Sequence, residues 1–332
     1  MRRKDIVRLN ISLLTAASLT VIVVTAPTLA QTSFGQETYT VPRTGWGKPD
    51  LQGVWTNATL TPLERRDEMM DKNVLTEEEA ANLEQEADNR NERLLLEDAQ
   101  RTAAGGNVGA YNNFWMDRGT RTDGSRRTSL IVAPPDGRIP SLTAAGQARK
   151  DEISVMRGRP AIGPEDRSMG ERCLLGFNAG PPMEPRAYNN HTQFFQTPDY
   201  LVILNEMVND SRVVPLDGRD HLPGDVRQWR GDSRGRWDGD TLVVETRNFY
   251  ARTAFSERQG SSPEMTLVER FTRLDADTLR YTATMTDPTT WTEPWTFEIS
   301  MVRSDEPVYE YACHEGNYGM DGILTGARAD DR

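Results

Sequence analysis

Two cysteines and three histidines are all that the 332 residues hold of the softer metal ligands, and that scarcity bounds the chemistry first. Zinc sites need such residues clustered at ligand spacing. No such cluster is legible, so neither a metal nor another cofactor is expected. Positive charge is also short, with 39 Lys and Arg against 50 Asp and Glu and a formal net charge of −11. Such a surface repels nucleic acid and anionic lipid, which excludes both as partners. Beyond the first 30 residues no apolar run is long enough to span a bilayer, so no membrane segment is expected in the remainder.

The first 30 residues are different. Arg2, Arg3, Lys4 and Arg8 precede an apolar stretch from Ile11 to Ala26, followed by "APTLA". This is the pattern of a secretory signal peptide over residues 1–30, with cleavage after Ala30 and a periplasmic or secreted destination. Its removal takes away four basic residues and only Asp5 among the acids, so the mature surface is more acidic still. In an oxidising compartment the two cysteines most simply form one disulfide, Cys173 to Cys313, with a pair of free reactive thiols as the alternative.

Residues 31–49 are polar and rich in Pro and Gly, and read as a linker or N-terminal arm. The rest, 50–332, reads as one domain. "DLQGVWTNA" supplies a first short strand. Thr76 with Glu79 three residues on forms a capping box, and the Glu-, Ala-, Leu- and Arg-rich run to about Gln100 predicts a long exposed helix within an insertion over about residues 63–104. From Thr128 onward the signals are mostly β, interrupted by a short helix from Thr143 to about Met156. "TSLIVAPPDGRIPSLT" and "GRWDGDTLVVET" read as hairpins around Asp-Gly turns. Leu279, Tyr281, Ala283 and Met285 alternate with polar residues, and Trp295, Phe297, Ile299 and Met301 repeat the pattern. About ten strands in hairpin order, with no βαβ alternation, predict an antiparallel meander closing into a barrel or strongly curved sheet.

Gly53-Val54-Trp55 on the first strand resembles the G-x-W motif of lipocalin-like barrels, in which the tryptophan plugs the closed end. The segments "PDLQGVWT", "GPEDRSMGERC", "QTPDYLVILNEM", "GDSRGRWDGDTLVVET" and "YACHEGNYGM" together resemble a family of exported bacterial proteins of uncharacterised activity. The resemblance implies a mainly β, lipocalin-like barrel and carries no activity with it.

Candidate functional residues are few. Glu206 ends "YLVILNE", and on an extended chain it shares a face with Val202 and Leu204. Such company desolvates a carboxylate, raises its pKa and suits it to proton transfer. If Tyr309–Glu315 is extended, Cys313 and His314 point to opposite faces. Cys313 then serves the disulfide, and His314 projects into the barrel as a proton shuttle or bonds a backbone carbonyl. His221 lies in the turn-rich "DGRDHLPGD" and is placed to assist at the rim. Asn189, Arg236, Asn317 and Tyr318 are candidates for positioning a ligand. Gly231-Asp232-Ser233-Arg234-Gly235 matches G-x-S-x-G, but the hydrolase elbow needs a helix after the serine and a hairpin follows here.

These observations predict an exported β-barrel that binds a small, largely apolar molecule and performs acid-base chemistry on it, of isomerase, hydratase or lyase type. Three alternatives stand beside this: a non-catalytic binding protein, a serine hydrolase using Ser233, and a structural envelope protein with a filled barrel.

Overall fold

A computed structural model describes residues 39–97, 115–253 and 259–330. The expected signal peptide, the start of the linker and the end of the helical insertion lie outside the described residues.

Ten strands form one sheet, all pairs antiparallel: β1 (Gly53–Thr56), β2 (Ile131–Ala133), β3 (His191–Gln196), β4 (Tyr200–Asn205), β5 (Asp210–Pro215), β6 (Asp232–Asp238), β7 (Thr241–Arg247), β8 (Thr266–Arg273), β9 (Thr278–Thr286) and β10 (Trp295–Ser304). The order across the sheet is β5-β4-β3-β1-β10-β9-β8-β7-β6, with β2 pairing to β10 off this path. The long β10 shares one edge between two short strands, β1 at Val302–Ser304 and β2 at Thr296–Phe297.

Side-chain alternation puts one face inward. Leu279, Tyr281, Ala283 and Met285 on β9 face Met301, Ile299, Phe297 and Trp295 on β10, all fully buried. Small Ala283 stands opposite Phe297, so volumes are matched across the ladder. Leu201 and Ile203 of β4, Val214 of β5, Leu242 and Val244 of β7 and Phe271 of β8 join the same core. Strands from both ends of the order therefore enclose one interior.

The ladder does not close into a barrel, because edge strands β5 and β6 pair with no strand beyond β4 and β7 respectively. Side chains bring the two edges together instead. Gly235 on β6 has no Cβ where one would stand 2.5 Å from Leu216 Cδ2 and 3.0 Å from Val214 Cγ1. Arg230, just before β6, donates from Nη1 to Ser211 O (2.7 Å) and ion-pairs with Asp210 on β5. Arg212 on β5 crosses the interior to Glu269 on β8 in a two-pronged pair (2.5 and 3.0 Å), and the Tyr281 hydroxyl donates to the same carboxylate (2.8 Å).

Trp55 is fully buried. Its indole N–H donates to Leu51 O (3.0 Å), and the guanidiniums of Arg273 and Arg303 stand 5.2 and 5.6 Å from its ring. Gly53 has φ +129°, and a Cβ there would meet the Arg303 guanidinium at 3.2 Å, which explains why glycine precedes the tryptophan by two.

The helices are α1 (Glu77–Leu96), α2 (Ala144–Gly158) and α3 (Tyr318–Asp330). Helix α1 opens on the expected capping box, with Thr76 Oγ1 accepting from Glu79 N and Glu79 Oε2 accepting from Thr76 N. Cys173 and Cys313 form a disulfide with their Cα atoms 5.6 Å apart, closing a separation of 140 residues.

Three expectations need revision. Only the first arm of the hairpin near Pro135 is a strand; its return makes a single bridge, Leu142 to Trp291. Residues 266–273 add a further strand, β8, to the series. The run Tyr309–Glu315 is not extended but turns, with Cys313 N bonded to Tyr311 O (2.8 Å), and α3 follows. Strand β10 is already paired on both edges and ends at Ser304, so the tail leaves its ladder there.

Candidate functional site

The candidate acid-base residues do not share partners. Strand β4 ends at Asn205, and Glu206 turns into helical backbone there (φ −61°, ψ −41°). Its Oε2 lies 3.3 Å from His191 Nδ1 across the β3–β4 hairpin. The His191 imidazole pKa is raised, first by its hydrogen bond to Glu206 and against the effect of burial, with Asp117 and Glu306 adding to the rise. His221 Nδ1 is 3.0 Å from Asp232 Oδ2, and its Nε2 is 3.5 Å from Glu245 Oε1. His314 is exposed in the turn beside the disulfide, away from the interior.

The expected ligand-positioning residues are likewise dispersed. Asn189 has φ +55° and presents its carbonyl to Asn178 Nδ2 (2.9 Å), a turn role. Arg236 is exposed on β6, and Tyr318 is exposed at the start of α3. Asn317 donates from Nδ2 to Glu171 O (2.9 Å) and lies 3.4 Å from Cys173 Sγ, which ties it to the disulfide.

Ser233 faces the interior with its cross-strand neighbour Thr246, their hydroxyls 2.9 Å apart. Asp232, which holds His221, is the adjacent residue on β6 and points the other way. The geometry therefore separates serine from histidine and forms no nucleophile-base couple.

What the fold does assemble is a cavity of about 620 Å³ at the seam between β5 and β6. Leu174, Leu175 and Pro215 give it apolar wall, and Trp229 stacks on Tyr250 with ring centroids 4.7 Å apart and planes 22° off parallel. Five arginines border it: Arg212, Arg219, Arg227, Arg230 and Arg234. Each is oriented by fixed acceptors. Arg219 donates from Nε to Asp217 Oδ2 (2.8 Å) and from Nη2 to Tyr200 Oη (2.9 Å). Arg227 donates to Pro263 O (2.7 Å) and to Glu264 Oε1 (3.0 Å). Arg234 donates to Asp232 Oδ1 (2.6 Å) and to Asp220 O (2.9 Å). The bonds from Arg219 hold the Asp217 carboxyl down at about 2, and desolvation brings Arg230 down to about 10.

No family model, curated protein or solved structure matches the chain. The assignment therefore rests on this geometry. Sequence reasoning passed over the arginines, yet a signal was present: "SRVVPLDGRDHLPGDVRQWRGDSRG" concentrates them between β5 and β6, with Trp229 in their midst. Among the described residues no group of three or more His, Cys, Asp and Glu is placed to hold a metal ion, and no helix is long and apolar enough to cross a membrane.

Proposed function

We propose that the protein is an exported, lipocalin-like binding protein whose seam cavity takes a small organic anion with a flat, unsaturated body. The observation that carries this reading is the convergence of five guanidiniums and the Trp229–Tyr250 stack on one cavity in an acidic chain. The volume falls within the ~300–1,000 Å³ usual for small-molecule sites. Guanidiniums match carboxylate geometry two bonds at a time, and the stacked rings offer a face to an aromatic body. Arg219 and Arg227 are engaged by partly exposed carboxylates, Asp217 and Glu264. Exposed ion pairs of this kind contribute only about 0–1 kcal/mol, so exchanging such a partner for a ligand's carboxylate costs little. This ligand is more polar than composition and strand pattern suggested.

Quenching of tryptophan fluorescence by 2-naphthoate, compared with the neutral 2-naphthamide, tests the reading. The carboxylate is expected to bind at least about tenfold tighter, a difference of about 1.4 kcal/mol, and to weaken as salt rises. Equal affinities would overturn it.

One observation favours a catalytic variant of the same site. Asp232 borders the cavity and is hydrogen-bonded to His221, an arrangement that fixes an imidazole tautomer for proton transfer. In this variant His221→Gln abolishes turnover of the bound anion and leaves its affinity unchanged. Absence of turnover in the wild type leaves binding alone as the function.

A further inference from the structure

The five arginines of the seam differ in what holds them. Arg212, Arg230 and Arg234 are paired with Glu269, Asp210 and Asp232, carboxylates that are themselves buried. Withdrawing one of these guanidiniums would strand a charge in the interior, which is strongly unfavourable. Arg219 and Arg227 are paired instead with Asp217 and Glu264, whose carboxylates reach the surface and can return to water. Of the five, these are the two that can change partner at little cost.

Both line the cavity, and their other bonds fix them to opposite flanks of it. On the β4–β5 flank, Arg219 donates from Nη2 to the Tyr200 hydroxyl (2.9 Å). On the other flank, Arg227 donates from Nη1 to Phe249 O (3.2 Å) and Pro263 O (2.7 Å), both in the connection between β7 and β8. These flanks belong to opposite ends of the sheet order. The aromatic stack goes with Arg227, since Tyr250 N donates to Gln228 O (2.8 Å) and Trp229 is the next residue. Among the described lining residues Asp232 is the one carboxylate, and it is held by Arg234 and His221.

A ligand with one negative charge satisfies one exchangeable guanidinium and leaves the other with its surface carboxylate. A ligand with a carboxylate at each end replaces Asp217 and Glu264 together, two charges for two, while its flat body crosses the cavity against the Trp229–Tyr250 rings. From this we infer that the seam cavity selects an aromatic dicarboxylate, one end on Arg227 and the other on Arg219. The inference rests on the seam reading and narrows its ligand class. The cavity volume, about 620 Å³, has room for a body of about two rings.

Calorimetric titration of the full mature protein with dicarboxylates of graded length tests this. Terephthalate, 2,6-naphthalenedicarboxylate and biphenyl-4,4′-dicarboxylate are each compared with the parent monocarboxylate: benzoate, 2-naphthoate and biphenyl-4-carboxylate. At least one dicarboxylate is expected to bind about tenfold tighter than its parent or better, beyond the factor of about two that two identical ends give by statistics. Its affinity should also fall more steeply as salt rises. Arg219→Met and Arg227→Met should each reduce that advantage to about twofold, because the second carboxylate then finds no guanidinium. Circular dichroism checks that the variants fold, and Arg219→Gln serves if Arg219→Met does not. Dicarboxylates within about twofold of their parents throughout the series would overturn the inference and leave the seam reading standing. An advantage that survives both arginine variants would overturn it too. No binding by any member of the series would strike the seam reading itself, and this inference with it.

Discussion

The Arg212–Glu269 pair gives the sharpest test of how the sheet is held together. Glu269 is fully buried and Arg212 nearly so, the two belong to strands far apart in the ladder order, and no backbone hydrogen bond links those strands. Glu269→Gln keeps the volume but leaves a guanidinium in the interior with no counter-charge. Breaking a buried pair in this way costs about 3–5 kcal/mol, and loss of the charged acceptor for Tyr281 adds about 1 kcal/mol. Arg212 also borders the seam cavity, where water can reach it, so the total is expected near the lower end, about 4 kcal/mol. For a chain of this size that corresponds to a fall in Tm of about 6 °C. The double variant Arg212→Met with Glu269→Leu removes both charges together and is expected to lie within about 1 kcal/mol of wild type. Urea unfolding of the two single variants and the double variant, read by circular dichroism, gives the coupling energy. Single variants that each cost under about 1 kcal/mol, or a double variant as damaged as their sum, would refute the view that this pair joins the two ends of the sheet.

Three further outcomes follow from other parts of the molecule. Burial lifts the Glu184 carboxyl from 4.5 to about 7, with Arg186 opposing the rise. The folded state therefore keeps a proton that the unfolded chain releases, and the resulting stability is full below about pH 4.5 and is lost as pH climbs through 7; the stability difference between wild type and Glu184→Gln should fall by about 3 kcal/mol between pH 4 and pH 8, and a pH-independent difference would contradict it. Replacing Cys173 and Cys313 by serine should cost about 3–5 kcal/mol in urea unfolding, from the loop that the disulfide closes; a loss below about 1 kcal/mol would mean that the tail is not held by it. Gly235→Val should lower stability by about 1–3 kcal/mol by forcing β6 away from Val214 and Leu216, and an unchanged urea midpoint would show that the edges are not in close contact.

Much of the fold was legible because its signals are local. The alternation in β9 and β10 identifies the inner face from sequence alone, and Thr76 with Glu79 marks the start of α1 because a capping box is complete within four residues. The order of the sheet is not local. Nothing in "GVWT" states that it lies between β3 and β10, since that choice depends on which edges remain free after the long strands pair. The site readings failed to converge for a related reason. Glu206 was assigned to a face by continuing the alternation one residue past the end of β4, where the backbone has already turned. His314 was given an interior position that required a strand, and its segment turns beside the disulfide instead. The arginines of the seam were visible as local density, but their convergence depends on the two sheet edges meeting.

A sheet joined to itself by side chains has a door that needs no broken ladder. Widening the gap between β5 and β6 requires Arg230 to release Asp210 and Ser211 O, and Gly235 to slide from Leu216. Releasing Arg230 is a rotamer change, whereas moving Gly235 shifts the β6 backbone and strains the Arg212–Glu269 pair that ties β5 across the interior. Parting two hydrogen-bonded strands would mean local unfolding, on microseconds or longer. Opening at this seam therefore breaks side-chain contacts and no ladder hydrogen bond, so the strands can stay protected from hydrogen exchange while it happens. The same arginines that greet an anion also deny a stray strand of another chain a flat apolar edge on which to polymerise.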